Sequence, residues 1–366
     1  MEKLNHKLLD LYLNRYLKRH PHQLRKIEDF NFKPHSFLVI SSTALGDTIL
    51  STPAIKSLHH SFPGARITAL MHRNIMSLFE GFAYIDGVIP FYGGYKRFLE
   101  TVRAIRRHSP DVVLIFHGNG PQDIALAILS GAKIILKHPT KSPYKRYLSY
   151  DFPQKIQHTI EDRLDLVRKT GGACFEKTLA LPPLKETGKA EKVERILGRD
   201  SLVIGFQMGA ANRYKMWPVE RFILMAKKIL ASHKACRIAV TGNRKESGLA
   251  GQLVRACGTR VLNTCGLFKV EELPYLVRKF DLLLTNDTGT MHVAIALKVP
   301  TISLFSTSDS RIIGPYQDYH LHRVIQKDGR FMADIPKKVR DDRAMRLIEV
   351  DEVYAQYEDF MHHRPV

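Results

Sequence analysis

Short apolar runs alternate with segments of helical spacing along most of the chain. The first half contains FLVI at 37, ARITALM at 65, DVVLIFHG at 111 and AKIILKH at 132. The second half contains SLVIGFQMG at 201, RIAVTGN at 237, RVLNTCG at 260, DLLLTND at 281 and PTISLFS at 300. Strands that alternate with helices form βαβ units and a mostly parallel sheet. The pattern therefore predicts an α/β protein with two Rossmann-like domains.

Between about 170 and 200 the composition shifts to glycines, a Pro-Pro pair and many charges, which is typical of a linker. Two facing domains would place the carboxyl ends of their strands around a cleft, where ligands bind in open α/β sheets. We predict a basic helical extension over 1–35, an N-terminal Rossmann-like domain over 36–175, a linker over 176–200, a C-terminal Rossmann-like domain over 201–330 and a helical tail over 331–366.

The first thirty residues carry apolar side chains at helical spacing among many lysines and arginines, with Leu4, Leu8, Leu11, Tyr12 and Tyr16 on the apolar positions. Two interpretations of this helix remain open. It either packs on its own protein with a solvated basic face, or it lies at the surface of an anionic membrane.

Composition narrows the class of protein. Hydrophobic residues make up 44% of the 366 and charged residues 25%, as in globular proteins, and the net charge of +20 indicates an anionic partner. Nucleic acid, a phospholipid surface and a phosphorylated substrate all fit this charge. No apolar run is long enough to span a bilayer, the N-terminus lacks a signal-peptide core, and the four cysteines show no CxxC spacing. We expect a soluble protein of the reducing cytoplasm with neither a zinc site nor a disulfide framework.

The first candidate for chemistry is Gly46-Asp47, in the turn after the first strand. Gly46 permits a tight turn, and Asp47 stands where a helix N-cap would stand. One interpretation is therefore a plain capping carboxylate. The other is a general base at the mouth of the cleft, which takes a proton from a hydroxyl.

The second candidate is GFQMGAANRYKMWPVERF, residues 205–222, after the first strand of the second domain. Its glycine and alanines allow the backbone to turn towards an anion, and Arg213 and Lys215 supply cations. Trp217-Pro218 ends the loop before a helix. The cations are either solvated surface residues or ligands of a phosphate.

The third candidate is LLLTNDTGTMHVAIALKVP, residues 282–300. We predict that the strand ends at Thr285 and that residues 286–290 form a small-residue turn before a helix that starts near Met291. Amide groups at a helix N-terminus attract phosphate. His292 either donates to the same anion or is a buried structural histidine.

The sequence motifs that are typical of several other kinds of site are missing from this chain. GxxxxGK[ST], GxGxxG and HExxH are all absent, which argues against P-loop hydrolysis, dinucleotide-dependent hydride transfer and a zincin-type metal site. The triplet Asp287-Thr288-Gly289 also occurs in aspartic proteases. Here it occurs once and inside an α/β series, so that reading is rejected.

Taken in order, S-x-x-x-L-G-D at 41–47, K-x-W-P at 215–218 and D-T-G-x-x-H at 287–292 resemble glycosyltransferase family 9, the lipopolysaccharide heptosyltransferases. The likeness runs from about residue 37 to about 325, with a weaker tail at 348–357. The resemblance implies the GT-B architecture, with two Rossmann-like domains facing a central cleft. It also implies inverting transfer of heptose from ADP-heptose to a lipopolysaccharide core acceptor, with no cofactor and no required metal.

The resemblance also implies roles for individual residues. Asp47 matches the proposed catalytic base, and Lys215 matches a lysine that neutralises the donor diphosphate. The implied donor-binding residues are Gly46, Asn212, Arg213, Glu246, Asp287, Thr288, Gly289 and His292. Asn212 enters this set because the phosphate loop has Ala210-Ala211 where relatives often have a hydroxyl residue.

Acceptors of that family are lipid-anchored and phosphorylated, which gives the basic charge a use in peripheral contact with the anionic inner face of the inner membrane. Arg73 and Lys96 are our acceptor-binding candidates, with Arg66, His72 and Arg97 as further basic residues of the first domain. Three alternatives remain: a glycosyltransferase for another nucleotide sugar or glycan acceptor, an inactive sugar-nucleotide binder, and a basic nucleic-acid-binding protein. The leading hypothesis excludes nucleic acid as a partner.

Overall fold

The computed structural model describes residues 2–21, 23–118, 120–138, 143–185, 188–199 and 201–363, and the side chains of the first helix from Leu8 onward. The chain divides into two compact units, Met1–Pro182 and Pro183–Val366. This division falls inside the segment predicted as a linker, 176–200. The second half of that segment forms a helix, Gly188–Leu197.

The first unit is built on a sheet of five parallel strands. The strands are β1 (Ser36–Ser41), β2 (Arg66–His72), β3 (Gly87–Phe91), β4 (Val112–His117) and β5 (Ile134–Lys137). Their order across the sheet is β3-β2-β1-β4-β5. The central strands β1 and β4 are almost wholly buried, because helices cover both faces of a parallel sheet.

Among the described residues of the first unit, six α-helices accompany this sheet: α1 (Glu2–Arg19), α2 (Leu45–Ile49), α3 (Thr52–Ser61), α4 (Phe98–Arg107), α5 (Pro121–Leu129) and α6 (Thr159–Lys169). Single 3₁₀ turns occupy Ile27–Asp29, Met76–Phe79 and Pro143–Tyr147. Pro53 and Pro121 lie in the first turns of α3 and α5, where a missing amide proton costs nothing.

The second unit has a sheet of six parallel strands. They are β6 (Val203–Gln207), β7 (Arg237–Thr241), β8 (Val261–Asn263), β9 (Leu282–Asn286), β10 (Thr301–Phe305) and β11 (His322–Gln326). The order β11-β10-β9-β6-β7-β8 is the doubly wound order of a Rossmann fold. The predicted α/β class with two Rossmann-like domains is confirmed.

The described part of the second unit contains seven α-helices: α7 (Gly188–Leu197), α8 (Val219–Ser232), α9 (Ser247–Cys257), α10 (Leu273–Arg278), α11 (Gly289–Ala296), α12 (Ser310–Ile313) and α13 (Val350–His362). The 3₁₀ turns are Arg213–Lys215, Arg244–Glu246, Val270–Glu272, Tyr319–Leu321, Arg330–Met332, Lys337–Val339 and Met345–Leu347. The C-terminal helix α13 buries Val353, Tyr357 and Phe360 in the core beneath α8.

The strand order reverses direction at one point in each sheet. In the first unit this switch point lies between β1 and β4, and in the second between β6 and β9. Ligands of doubly wound sheets bind at such points, beyond the carboxyl ends of the strands. The loops that follow these four strands are therefore where functional side chains are expected.

The N-terminal helix α1 packs on the first unit. Leu13 is fully buried in its core, and Leu9, Tyr16 and Leu17 lie against the same cluster. Of the two interpretations, the structure thus shows a helix that is part of the fold, although it leaves several apolar side chains of α1 exposed. None of the helices among the described residues combines the length and apolarity that crossing a bilayer requires.

Candidate active site

Asp47 lies beside the switch point of the first unit, but not at a helix cap. The cap of α2 is Ala44, and Asp47 is the third residue of the helix. The capping interpretation is therefore wrong. Instead of accepting from a backbone amide, Oδ2 of Asp47 accepts a hydrogen bond of 2.9 Å from Oγ1 of Thr43, and 28% of the side chain remains exposed.

His117 ends β4 and completes a triangle with these two residues. Its Nε2 lies 3.4 Å from Oδ1 of Asp47, and its Nδ1 lies 2.6 Å from Oγ1 of Thr43. Burial lowers the pKa of His117, and the Asp47 carboxylate partly offsets this effect. A hydroxyl has one proton, so when Thr43 donates to Asp47 it can only accept from His117. The triangle therefore ties the loops after β1 and β4 together around the carboxylate.

Arg163 of α6 supports Asp47 from inside the unit. Only 1% of its side chain is exposed, yet burial lowers its pKa only to about 10, so the guanidinium is charged at neutral pH. Nη1 donates to the backbone carbonyl of Asp47 at 2.6 Å, and Nη2 lies 3.8 Å from Oδ1. Arg163 therefore holds the backbone of Asp47 in place, while the exposed part of the carboxylate is free to accept a proton from a hydroxyl.

Two residues of opposite charge, the buried Asp123 and the half-buried Lys137, lie behind the same loops. Asp123 accepts from Oγ of Ser42 at 2.8 Å, and Lys137 donates to the carbonyl of Gly118 at 3.1 Å. Burial raises the pKa of Asp123 and lowers that of Lys137, and each charge counteracts the shift of the other. A Cβ at Gly118 would lie 2.2 Å from the Asp123 carboxylate, so only glycine fits there.

The basic residues proposed for acceptor binding do not all lie at this edge of the sheet. Arg73 follows β2 and Lys96 follows β3, so both lie at the carboxyl ends of their strands, like Asp47. The guanidinium carbons of Arg73 and Arg97 lie 5.9 and 4.5 Å from the centre of the Tyr92 ring. Arg66 was also proposed to meet the acceptor, and this proposal is wrong: Arg66 begins β2 and therefore lies at the opposite edge of the sheet.

In the second unit, Lys215 and Asp287 meet at the switch point. Nζ of Lys215 donates to Oδ2 of Asp287 at 2.6 Å, and Oγ of Ser308 donates to the same oxygen at 2.7 Å. The lysine side chain is 24% exposed and the carboxylate 10%. An ammonium group has three protons, so this contact orients Nζ and leaves donors for a further anion.

Asn286 and Trp217 hold the lysine loop on the sheet. Asn286 is the buried last residue of β9, which thus extends one residue beyond the predicted end. Its Oδ1 accepts from the backbone amide of Trp217 at 3.0 Å, and its Nδ2 donates to the carbonyl of Met208 at 2.7 Å. The Trp217 indole is buried and donates to the carbonyl of Ile348 at 2.9 Å. The K-x-W-P motif is therefore a buried anchor that carries a partly exposed lysine.

We predict that Asn286→Ala lowers the free energy of unfolding by about 2 to 4 kcal/mol, because a buried amide and a buried carbonyl lose their partners. Urea unfolding followed by tryptophan fluorescence measures this change. Asn263→Ala is the matched control, since Asn263 also bonds a backbone amide and Ser247 but is only half-buried. Equal stability losses in the two variants would contradict the assigned role of Asn286.

Glu246 lies against the backbone of two loops. Its Oε2 accepts from the amide of Asn243 at 2.9 Å and lies 3.5 Å from Nε2 of Gln207. A Cβ at Gly209 would come within 2.1 Å of the carboxylate, and a Cβ at Gly242 within 2.2 Å. The glycines thus allow Glu246 to reach the carboxyl ends of β6 and β7, which is where its predicted role requires it.

The other residues of the second unit that are predicted to bind the donor differ in their exposure to solvent. Asn212 and Arg213 are exposed at the tip of the loop, where Asn212 precedes the 3₁₀ turn Arg213–Lys215. Thr288 is the N-cap of α11, which begins at Gly289, two residues before the predicted start. His292 is buried with 4% exposure. The lysine loop and the start of α11 thus meet at one switch point.

An open depression of about 600 Å³ lies next to this cluster. Two segments line it, residues 306–311 after β10 and, at the end of β11 and beyond it, residues 326–328 and Arg330. Ser308, which bonds Asp287, belongs to the first of them. The volume lies within the range of small-molecule sites in proteins.

The sequence model of one family, glycosyltransferase family 9 (heptosyltransferase), matches residues 132–328, which is more than half of the chain. The chain belongs to glycosyltransferase family 9.

Individual relatives agree with this assignment. The chain is 20% identical over 317 residues to lipopolysaccharide heptosyltransferase 3 of Escherichia coli, covering 80% of this chain and 92% of that protein. Among solved structures, a family 9 glycosyltransferase from Veillonella parvula matches with a TM-score of 0.75 and 22% identity, over 90% of this chain and 97% of that one. The E. coli ADP-heptose heptosyltransferase II matches with a TM-score of 0.72 and 19% identity, over 89% and 98%.

Membership of family 9 confirms the predicted resemblance and makes the protein a glycosyltransferase. The two parallel α/β units, together with these structural matches, confirm the GT-B fold class. The alternative of a nucleic-acid-binding protein is set aside, since a family assignment accounts for the chain where net charge alone did not. The roles of the individual site residues stay predictions.

Several residues of the candidate site were not identified from the sequence. Thr43, His117 and Arg163 surround Asp47, and Ser308 contacts Asp287. His117 could have been identified from the sequence, because it directly follows the apolar run at 112–116 and therefore lies at a strand end. Arg163 could not, since an arginine within a charged helical pattern is normally solvated.

Proposed function

We propose that this protein transfers heptose from ADP-heptose to a lipopolysaccharide core acceptor, with inversion and without a required metal. The observation that carries the proposal is the pair of side-chain sets at the switch points of the two sheets. One set presents a supported carboxylate, and the other presents an oriented lysine beside a helix N-terminus. These are the two groups that metal-independent glycosyl transfer needs.

Asp47 is the proposed base. An acceptor hydroxyl forms a bond to the anomeric carbon of the heptose while its proton passes to the Asp47 carboxylate. The bond between that carbon and the diphosphate oxygen breaks, and its electron pair leaves with ADP. Attack from the face opposite the diphosphate inverts the anomeric centre. Thr43, His117 and Arg163 keep the carboxylate in place, because each contacts it or its backbone.

Lys215 is proposed to stabilise the charge that develops on the leaving diphosphate. Asp287 fixes the ammonium group and is itself held by Ser308, so Asp287 acts through Lys215 in this assignment. Arg213, Asn212 and the amides at Thr288 and Gly289 supply further donors, and Glu246 is proposed to contact the nucleoside. Cations and helix amides at the phosphates take the place that a metal ion holds in other transferases.

The relatives support the choice of donor and acceptor. The curated relative from E. coli is named a lipopolysaccharide heptosyltransferase, and the solved E. coli enzyme is an ADP-heptose heptosyltransferase. We extend these activities to this chain as a proposal. Arg73 and Lys96 are proposed to meet acceptor phosphates or carboxylates. The enzyme would work in the cytoplasm, peripherally at the inner face of the inner membrane, where a lipid-anchored acceptor is presented.

A nucleotide-release assay tests the proposal. Purified protein is incubated with ADP-heptose, or with a panel of UDP- and GDP-sugars, together with truncated lipopolysaccharide acceptors and EDTA. We expect release of ADP that requires the acceptor and survives chelation. The anomeric configuration of the product, determined by NMR, tests inversion.

Each other result has a definite meaning. Release of a different nucleotide would replace the donor and keep the roles of the residues. Loss of activity with EDTA that Mg²⁺ restores would contradict the metal-independent mechanism. If no sugar nucleotide turns over despite a folded protein and a broad acceptor panel, the inactive-binder alternative takes its place.

A further inference from the structure

Helix α1 carries apolar side chains on two faces, and the fold uses one of them. Leu9, Leu13, Tyr16 and Leu17 pack on the core of the first unit. Leu8, Leu11 and Tyr12 point the other way and are 53 to 58% exposed. Arg15, Lys18 and Arg19 continue this outer face towards the end of the helix. Packing within the protein therefore explains half of the apolar pattern.

The helix lies between two other basic segments. On one side Tyr16 accepts from Nη2 of Arg106 at 3.1 Å, in the last turn of α4. On the other side Asp10 accepts from Nη2 of Arg146 at 2.6 Å, in the 3₁₀ turn after β5. Tyr95 and Leu99, at the start of α4, are also exposed apolar residues, at 43 and 63%. We call residues 8–21, 95–107 and 144–147 the basic-apolar face.

The charge of this face is strongly one-sided. The three segments contain ten lysines and arginines and two acidic residues. Both acids are already paired with arginines, Asp10 with Arg146 and Glu100 with Arg97. Exposed leucines and tyrosines surrounded by cations are the composition of surfaces that bind anionic bilayers.

The apolar end of the face lies on the side of the sheet where Asp47 lies. Helix α4 starts at Phe98, beyond the carboxyl end of β3, and runs back towards the amino end of β4. Asp10 contacts residues beyond the carboxyl end of β5, whereas Tyr16 contacts the far end of α4. The first half of α1 and the segment 95–99 are therefore at the carboxyl edge of the first sheet.

We propose that the basic-apolar face docks this enzyme on an anionic phospholipid bilayer, with Leu8, Leu11, Tyr12 and Leu99 inserted among the headgroups and the arginines on lipid phosphates. The proposal rests on the proposed function in one respect, since a lipid-anchored acceptor would then be held at the edge that carries Asp47. A second copy of the chain is a poor occupant, because two faces of the same high positive charge repel each other. Nucleic acid would match the arginines and leave the leucines unused.

Vesicle co-sedimentation of the full chain tests docking without any substrate. Wild type should bind vesicles of phosphatidylcholine that contain about one third phosphatidylglycerol. It should bind vesicles of phosphatidylcholine alone weakly or not at all. The triple variant Leu8→Ser/Leu11→Ser/Tyr12→Ser should reduce the partition coefficient at least about tenfold. The double variant Arg103→Glu/Arg107→Glu should reduce the partition coefficient by a similar factor at 0.1 M salt. At 0.5 M salt its partition coefficient should differ less from that of wild type.

The matched control is Leu224→Ser/Leu267→Ser, which removes two half-exposed leucines from the second unit and should bind like wild type. Thermal unfolding and turnover of a delipidated, water-soluble acceptor should be equal in the triple variant and wild type, so lost binding is not lost folding.

Unchanged binding of the triple variant, or equal binding to both kinds of vesicle, would overturn the proposal. So would a dimer in light scattering that this variant dissociates, or RNA binding that competes with vesicles. Vesicle binding without nucleotide release would leave docking in place and remove the proposed activity.

Discussion

Asp47→Asn should reduce kcat by a factor on the order of 100 to 10,000, because the carboxylate that accepts the acceptor proton is replaced by an amide that cannot. The change is nearly isosteric, and the backbone carbonyl of Asp47 keeps its bonds from Arg163 and Ser51. Binding of ADP should be unchanged within about twofold, since the side chains proposed to hold the diphosphate and the nucleoside belong to the second unit, and Gly46, the donor-binding candidate of the first unit, is not altered. Acceptor-dependent ADP release and calorimetric titration with ADP measure the two quantities.

A matched control separates lost catalysis from lost folding. Asp111 is a carboxylate of the same unit at the opposite edge of the sheet, where it accepts from the amide of His35 and from Lys133. These bonds lower the pKa of Asp111 against the effect of its burial. Asp111→Asn should therefore reduce stability and leave kcat per folded molecule intact. If Asp47→Asn retains more than about a third of the wild-type kcat, Asp47 is not the base.

The sequence was sufficient for the central strands and for only some of the edge strands. Of the four edge strands in the two described sheets, β5 and β8 were predicted from the runs at 132 and 260, whereas β3 and β11 were missed. β3 and β11 have half-buried or exposed positions among their buried ones, so they lack the continuous apolar run of a central strand. β3 contains Pro90, which an edge tolerates, and β11 contains Arg323 and Gln326. The apolar runs at 37, 111, 203 and 282 are long because those strands are covered on both faces.

Within the site, the sequence identified the groups that face outward and missed the groups that support them. Asp47, Lys215 and Glu246 lie next to glycines or in named motifs, which made them visible. Arg163 is 116 residues from Asp47 in the chain, and Asn286 is 69 from Trp217. Such partners are brought together by strand order, and no local pattern records them. Capping failed as an interpretation of Asp47 because the N-cap of α2 is Ala44, three residues earlier.

Lys215→Met should reduce kcat/KM by a factor on the order of 100 to 1,000, because one preorganised cation at the leaving diphosphate is lost. The same variant should weaken ADP binding. Lys245→Met is the matched control, since Lys245 is exposed beside Glu246 and should change kcat/KM less than about threefold. Acceptor-dependent ADP release at subsaturating donor measures the ratio.

The loss of kcat/KM in Lys215→Met has a second candidate cause besides the missing cation, and the two have to be separated. Removing Lys215 also leaves the Asp287 carboxylate, 10% exposed, without its cation, and an uncompensated negative charge would repel a diphosphate. The double variant Lys215→Met/Asp287→Asn resolves the two in a mutant cycle. If the missing cation dominates, the double variant stays within about threefold of Lys215→Met. If instead the uncompensated charge of Asp287 causes most of the loss, ADP affinity recovers in the double variant. Lys215 then serves to neutralise Asp287 instead of the leaving group.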